Sequence, residues 1–146
     1  INRFENILDK HLILAFFIPA IVYMSSALGT QHQTLFIRDL AILGKEMKLF
    51  KYFLKQMTIG TIMSLIIGLL VFLMVSAFWK ENYIALVIAL AMFITLFISS
   101  FTSLLITYLF KLFKQDPALG SGPFATIISD VSSIIVYFII VSLMIK

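Results

Sequence analysis

Four long apolar stretches dominate this chain, and a soluble fold has no way to bury them all. They run from about Leu12 to Gly29, Gln56 to Trp79, Tyr83 to Phe110 and Pro123 to Ile145. A helix rises 1.5 Å per residue, so about 20 residues cross a hydrocarbon core roughly 30 Å thick. Each stretch can make that crossing, and the third is long enough to tilt or to extend past the core. Lipid offers no water to backbone N–H and C=O groups, and a helix satisfies its own. The expected fold is therefore all-α, a polytopic transmembrane helical bundle in a lipid bilayer. The composition agrees. Of 146 residues, 62% are hydrophobic and 12% charged, where a soluble domain carries about 25% charged residues.

Several functions are excluded at this level. Without cysteine there is no disulfide and no thiolate metal site. The two histidines, His11 and His32, lie near or beyond the ends of an apolar run, a poor basis for a haem or zinc site. No activated nucleophile, metal-hydrolase motif or phosphate-binding loop is visible, so the chain is not expected to be an enzyme. The net charge of +4 sits between the spans and points to no nucleic acid partner.

Charge between the spans sets the expected orientation. The segment Thr30–Lys55 holds Arg38, Lys45, Lys48, Lys51 and Lys55, and the segment Lys111–Gly122 holds Lys111 and Lys114. The positive-inside rule places both in the cytoplasm. The tight Lys80–Glu81–Asn82 turn, flanked by Trp79 and Tyr83, falls outside. Alternation then puts Ile1 and Lys146 outside, and a further span is expected before Ile1. Leu40–Lys55 alternates apolar and basic positions, as expected of an amphipathic stretch at the lipid surface or an extension of the second span.

The fourth span carries an aspartate. Positions three, four and seven apart share a helix face, which here gathers Thr126, Ser129, Asp130, Ser133 and Tyr137. The opposite face carries Ile127, Val131, Ile134, Ile135 and Phe138. A charge at the bilayer centre costs about 2.5–3.5 kcal/mol on insertion scales. No basic residue within the spans offsets it. A carboxylate among hydroxyls and carbonyls suits a hard cation. The structural alternative is a neutral carboxyl that ties helices together. Pro19 inside the first span, and Pro117, Gly120, Gly122 and Pro123 before the fourth, suggest irregular backbone whose carbonyls could face such an ion. Ser26 and Thr30 follow Pro19, four residues apart on one potential face, and are expected to approach the same path. Thr126 and Ser129 are placed to hold the ion's waters.

The stretch Asp116–Pro117–Ala118–Leu119–Gly120–Ser121–Gly122–Pro123, followed by Asp130 and Tyr137–Phe138, closely resembles the last span of the MgtE magnesium channel family. Its pattern is DPA-x-x-SGP, an aspartate seven residues after the proline, then a YF pair. Phe17–Ile18–Pro19 through Met24, with Gly29–Thr30–Gln31 and Arg38, resembles a second family segment. The resemblance implies a five-span domain, four spans of which are visible here, forming a homodimer with the ion path between subunits. It implies Mg²⁺ as the transported ion, Asp130 as the carboxylate that attracts it, and a path bordered by Ser26, Gly29, Thr30, Gly122, Thr126 and Ser129. It also implies a prokaryotic cell membrane and, in many members, cytosolic regulatory domains outside this chain. The sequence departs from the pattern at Tyr23, at Ser25–Ser26–Ala27 in place of Gly–Gly–Asn, and at Gln56 in place of a glutamate. Two other functions fit the same residues: a divalent-cation exchanger driven by protons or sodium, and a non-conducting scaffold or magnesium sensor.

Overall fold

The computed structural model describes residues 12–114, 116 and 123–145. Four long helices follow one another: α1 (Leu12–Leu43), α2 (Leu49–Trp79), α3 (Asn82–Leu112) and α4 (Pro123–Met144). A single 3₁₀ turn, Gly44–Glu46, joins α1 to α2. The described residues contain no strand. All four helices are long and apolar enough to cross a membrane, so the chain is a multi-pass membrane protein.

The connection between the first two spans differs from the loop expected over Thr30–Lys55. Helix α1 continues through Leu43 and α2 starts at Leu49, so most of that segment is helical. The reason lies in its pattern. His32, Gln33 and Phe36 continue the buried face of α1, and Phe36 stacks on Tyr52 with ring centroids 5.3 Å apart. Packing therefore extends each helix past the end of its apolar run. Nor does Pro19 break α1, which runs straight through it. Proline is tolerated in membrane helices where surroundings satisfy the freed carbonyl.

Helix α3 is the centre of the bundle. It packs against α1, α2 and α4, and α1 also packs against α4. Over half of its apolar window is buried, against 22% for α2 and for α4. Its small residues allow this. Ala85, Ala89 and Ala91 are buried, as are Thr95, Ser99, Ser100, Ser103 and Thr107. The main core joins Leu14 and Ile21 of α1, Val75 of α2, Ile88, Met92 and Leu96 of α3, and Tyr137 and Val141 of α4. A smaller cluster at the other end joins Phe36, Met47 and Leu104. Helix α2 keeps a broad exposed face that includes Ile62, Ile66, Leu69 and Leu73. That face suits acyl chains.

Candidate functional site

On α4 the polar side is the buried side. Ser129, Ser133 and Tyr137 are 5%, 2% and 1% exposed, while Ile127, Val131 and Ile135 are each more than half exposed. Tyr137 anchors the helix by donating from its hydroxyl to the carbonyl of Leu14, at 2.7 Å. Asp130 lies at the edge of this buried strip and is partly exposed. Its Oδ1 is buried and has no hydrogen-bond partner among the described residues.

Beside Asp130 three helices are joined through serine hydroxyls. Ser99 of α3 donates to the carbonyl of Ser25 on α1 at 2.7 Å. Its hydroxyl also lies 2.9 Å from that of Ser129. A hydroxyl has one proton, so with Ser99 committed to Ser25, Ser129 donates to Ser99. The hydroxyls of Ser25 and Ser133 are 2.6 Å apart, joining α1 to α4 directly. One of the two gives its proton to the other, whose own proton goes to a carbonyl one turn back; such a carbonyl is in reach of each, that of Ile21 for Ser25 and that of Ser129 for Ser133. The turn that bears Asp130 is thus held on both sides, at Ser129 and at Ser133. The network holds Asp130 in register without consuming its carboxylate.

The residues expected at an ion path separate into groups. Gly29 is buried against α3. A Cβ there would crowd the Ser103 hydroxyl severely and come within 2.9 Å of that of Ser99. Ser129 is likewise in the seam between helices, with its proton directed at Ser99. Ser26 and Thr126 are partly exposed and Thr30 is exposed. Gly122 lies outside the described residues, as do Pro117 and Gly120. Among the described residues no group of three His, Asp or Glu side chains could cage a metal ion.

The part played by α3 does not follow from the sequence alone. Thr95, Ser99, Ser103 and Thr107 recur every four residues and form a buried hydroxyl face. That spacing is visible in the sequence, though hydroxyls in an apolar run say nothing of their partners. Nor does the place of His32 follow from the sequence; this residue lies well inside α1 and is 2% exposed. Gln56 donates from Nε2 to the Tyr52 hydroxyl at 2.9 Å, which turns its carbonyl toward His32. His32 Nδ1 therefore donates to Gln56 Oε1, at 3.1 Å. Gly60 makes room for this arrangement: a Cβ there would stand 3.1 Å from His32 Nε2 and 3.0 Å from the Ser100 hydroxyl. The Gln56 amide thus fixes a histidine and ties α1 to α2.

Comparison with known proteins follows the same lines. The sequence model of the family MgtE, described as divalent cation transporter, matches residues 18–140. The magnesium transporter MgtE of Bacillus subtilis is 32% identical over 144 residues, covering 94% of this chain and 31% of the relative. That of Enterococcus faecalis is 30% identical over 148 residues, covering all of this chain and 32% of the relative. That of Thermus thermophilus is 27% identical over 148 residues, again covering all of this chain and 32% of the relative. The chain covers about a third of the length of each.

Proposed function

Because this chain belongs to the MgtE family of divalent cation transporters, we propose that it is the membrane part of a magnesium transporter, with Asp130 as the carboxylate that draws the ion into the bilayer. The observation that carries this reading is the Oδ1 atom of Asp130, buried without a hydrogen-bond partner among the described residues on a helix long and apolar enough to cross the membrane. Leaving a buried acceptor unsatisfied costs about 1–3 kcal/mol, and more if it is charged. A cation at that oxygen offsets the cost. Mg²⁺ prefers six oxygens and gives up water reluctantly. One or two carboxylates, with hydroxyls and carbonyls to receive its remaining waters, suit it.

A second copy of the chain completes the site. Two Asp130 carboxylates across a twofold axis balance a 2+ ion, which one does not. The exposed face of α1 supports such pairing. Thr30, Gln31 and Thr34 are exposed there, and polar side chains in a membrane favour protein or a watery cavity over lipid. In this homodimer Ser26, Thr30, Thr126 and the segment at Gly122 border the path. Gly29 and Ser129 stand behind them and hold the helices in place. No step involves covalent chemistry. Regulatory domains of the full-length protein would act on this path from the cytosol.

The test is uptake of Mg²⁺ into vesicles by the full-length protein and its Asp130→Asn variant. The substitution keeps the shape and removes the charge. Flux should fall by at least about tenfold, the loss expected when some 1.4 kcal/mol of ion stabilisation is removed, with the oligomer unchanged. Flux equal to that of the unaltered protein would make Asp130 a packing residue. Flux that follows an imposed proton or sodium gradient would identify an exchanger.

A further inference from the structure

Helix α2 carries a cationic face that the proposed ion path does not include. Lys51 and Lys55 of α2 and Lys48 just before it are all exposed, and the two helical lysines lie away from the buried residues Gln56, Gly60 and Ser64. Among the described residues the ion pair is that of Arg38 with Asp39, and none of these lysines takes part in one. Lys51 and Lys55 flank a shallow trough of about 430 Å³, whose other walls are Leu54, Thr58 and Ile59. Thr58 gives its proton to the Leu54 carbonyl at 2.9 Å, so its hydroxyl oxygen remains an acceptor only. The cationic character of the trough comes from the lysines.

Beyond the trough the same face becomes wholly apolar. Ile59, Ile62 and Ile66 are 40%, 51% and 50% exposed. From Lys55 to Ile66 the helix rises about 16 Å at 1.5 Å per residue, which is about half of a 30 Å hydrocarbon core. A cationic trough continued by an apolar track one leaflet long has the dimensions of one phospholipid. Lysine stems can lie along apolar surface while their ammonium groups reach the headgroup level. The opposite end of α2 lacks this arrangement. There Lys80 is followed at once by Glu81, which offsets its charge.

We propose that this face of α2 is a binding site for one anionic phospholipid, its phosphate held between Lys51 and Lys55 and an acyl chain laid along Ile59, Ile62 and Ile66. Lys48 lies a turn further out and adds to the field. The occupant is a membrane lipid rather than a soluble phosphate ester, because the apolar track requires a chain. The site is independent of Asp130 and of the ion path.

The test is native mass spectrometry of the full-length protein released from vesicles of mixed phosphatidylglycerol and phosphatidylcholine. The unaltered protein should retain phosphatidylglycerol in preference to phosphatidylcholine. A lysine beside an anionic membrane surface contributes on the order of a fivefold preference, so K51Q and K55Q should each lower retention about fivefold and together multiply. K51R/K55R should keep it, and K80Q should leave it unchanged. Circular dichroism checks that each variant is as helical as its parent. Retention unaltered in K51Q/K55Q would overturn the site. An equal loss in K80Q would reduce it to general surface charge, and displacement of the lipid by soluble glycerol phosphate would refute the role of the apolar track.

Discussion

At Gly29 one hydrogen atom in place of a methyl group decides how close α1 can come to α3. The hydroxyls of Ser99 and Ser103 occupy the space that a Cβ would take. Alanine is the better helix former by about 1 kcal/mol, yet overpacking a filled interior costs about 1–3 kcal/mol. Ser103 can turn its hydroxyl aside. Ser99 cannot do so freely, because it is bonded to Ser25 and Ser129. Gly29→Ala should therefore lower thermal stability in detergent by a net loss of up to about 2 kcal/mol, and adding Ser103→Gly should restore part of it. An unchanged melting temperature for Gly29→Ala would show that both hydroxyls move at no cost. The resembling family segment pointed to this glycine, but what its missing side chain makes room for depends on α3, 70 residues further along the chain.

At the scale of the helix, the turn between α2 and α3 shows how local geometry and sequence can disagree. Trp79 ends one helix and Asn82 begins the next, leaving two residues to reverse direction. Lys80 manages this in the left-handed conformation, at φ 57°, with its N–H donating to the Ser76 carbonyl. A residue with a Cβ is strained there by about 1 kcal/mol or more, and glycine is not. Lys80→Gly should leave the fold intact and raise stability by up to about 1 kcal/mol, read as a higher melting temperature in detergent. A lower one would mean that the lysine head contributes more at the membrane surface than its backbone strain removes. The tightness of this turn was legible in the sequence, since two spans lie on either side of so few polar residues. The left-handed residue was not, because lysine is a poor indicator of positive φ.

For the whole molecule, orientation in the membrane follows from charge. Arg38, Lys45, Lys48, Lys51 and Lys55 lie at one end of the α1–α2 pair and Lys80 at the other. The positive-inside rule puts the first group in the cytoplasm and Lys146 outside. Extension of α1 and α2 toward the connecting 3₁₀ turn does not alter this count. A tag fused after Lys146 should be cleaved by protease in intact spheroplasts, and a cleavage site inserted at Gly44 should be protected. The reverse pattern would invert the molecule. In the expected orientation a cation drawn to Asp130, as proposed, would move inward with the membrane potential, gaining about 2.3 kcal/mol per charge for each 100 mV crossed.

Much of this protein is determined by sequence alone. Apolar runs of spanning length leave a helical bundle as the solution, because lipid provides no partner for an open backbone. A helical repeat sorts α4 into a polar and an apolar side, so Asp130 and its face could be read from Ser129, Ser133 and Tyr137. Tertiary structure decided the rest. The sequence does not say that the polar side of α4 meets hydroxyls of α3, that Ser25 bonds to Ser133 across 108 residues, or that His32 is held inside by Gln56. A buried hydroxyl needs a partner, but in a helix the carbonyl one turn back will serve. Which serines reach another helix instead depends on how closely the helices approach, and that is set by Gly29 and Gly60 packing against α3.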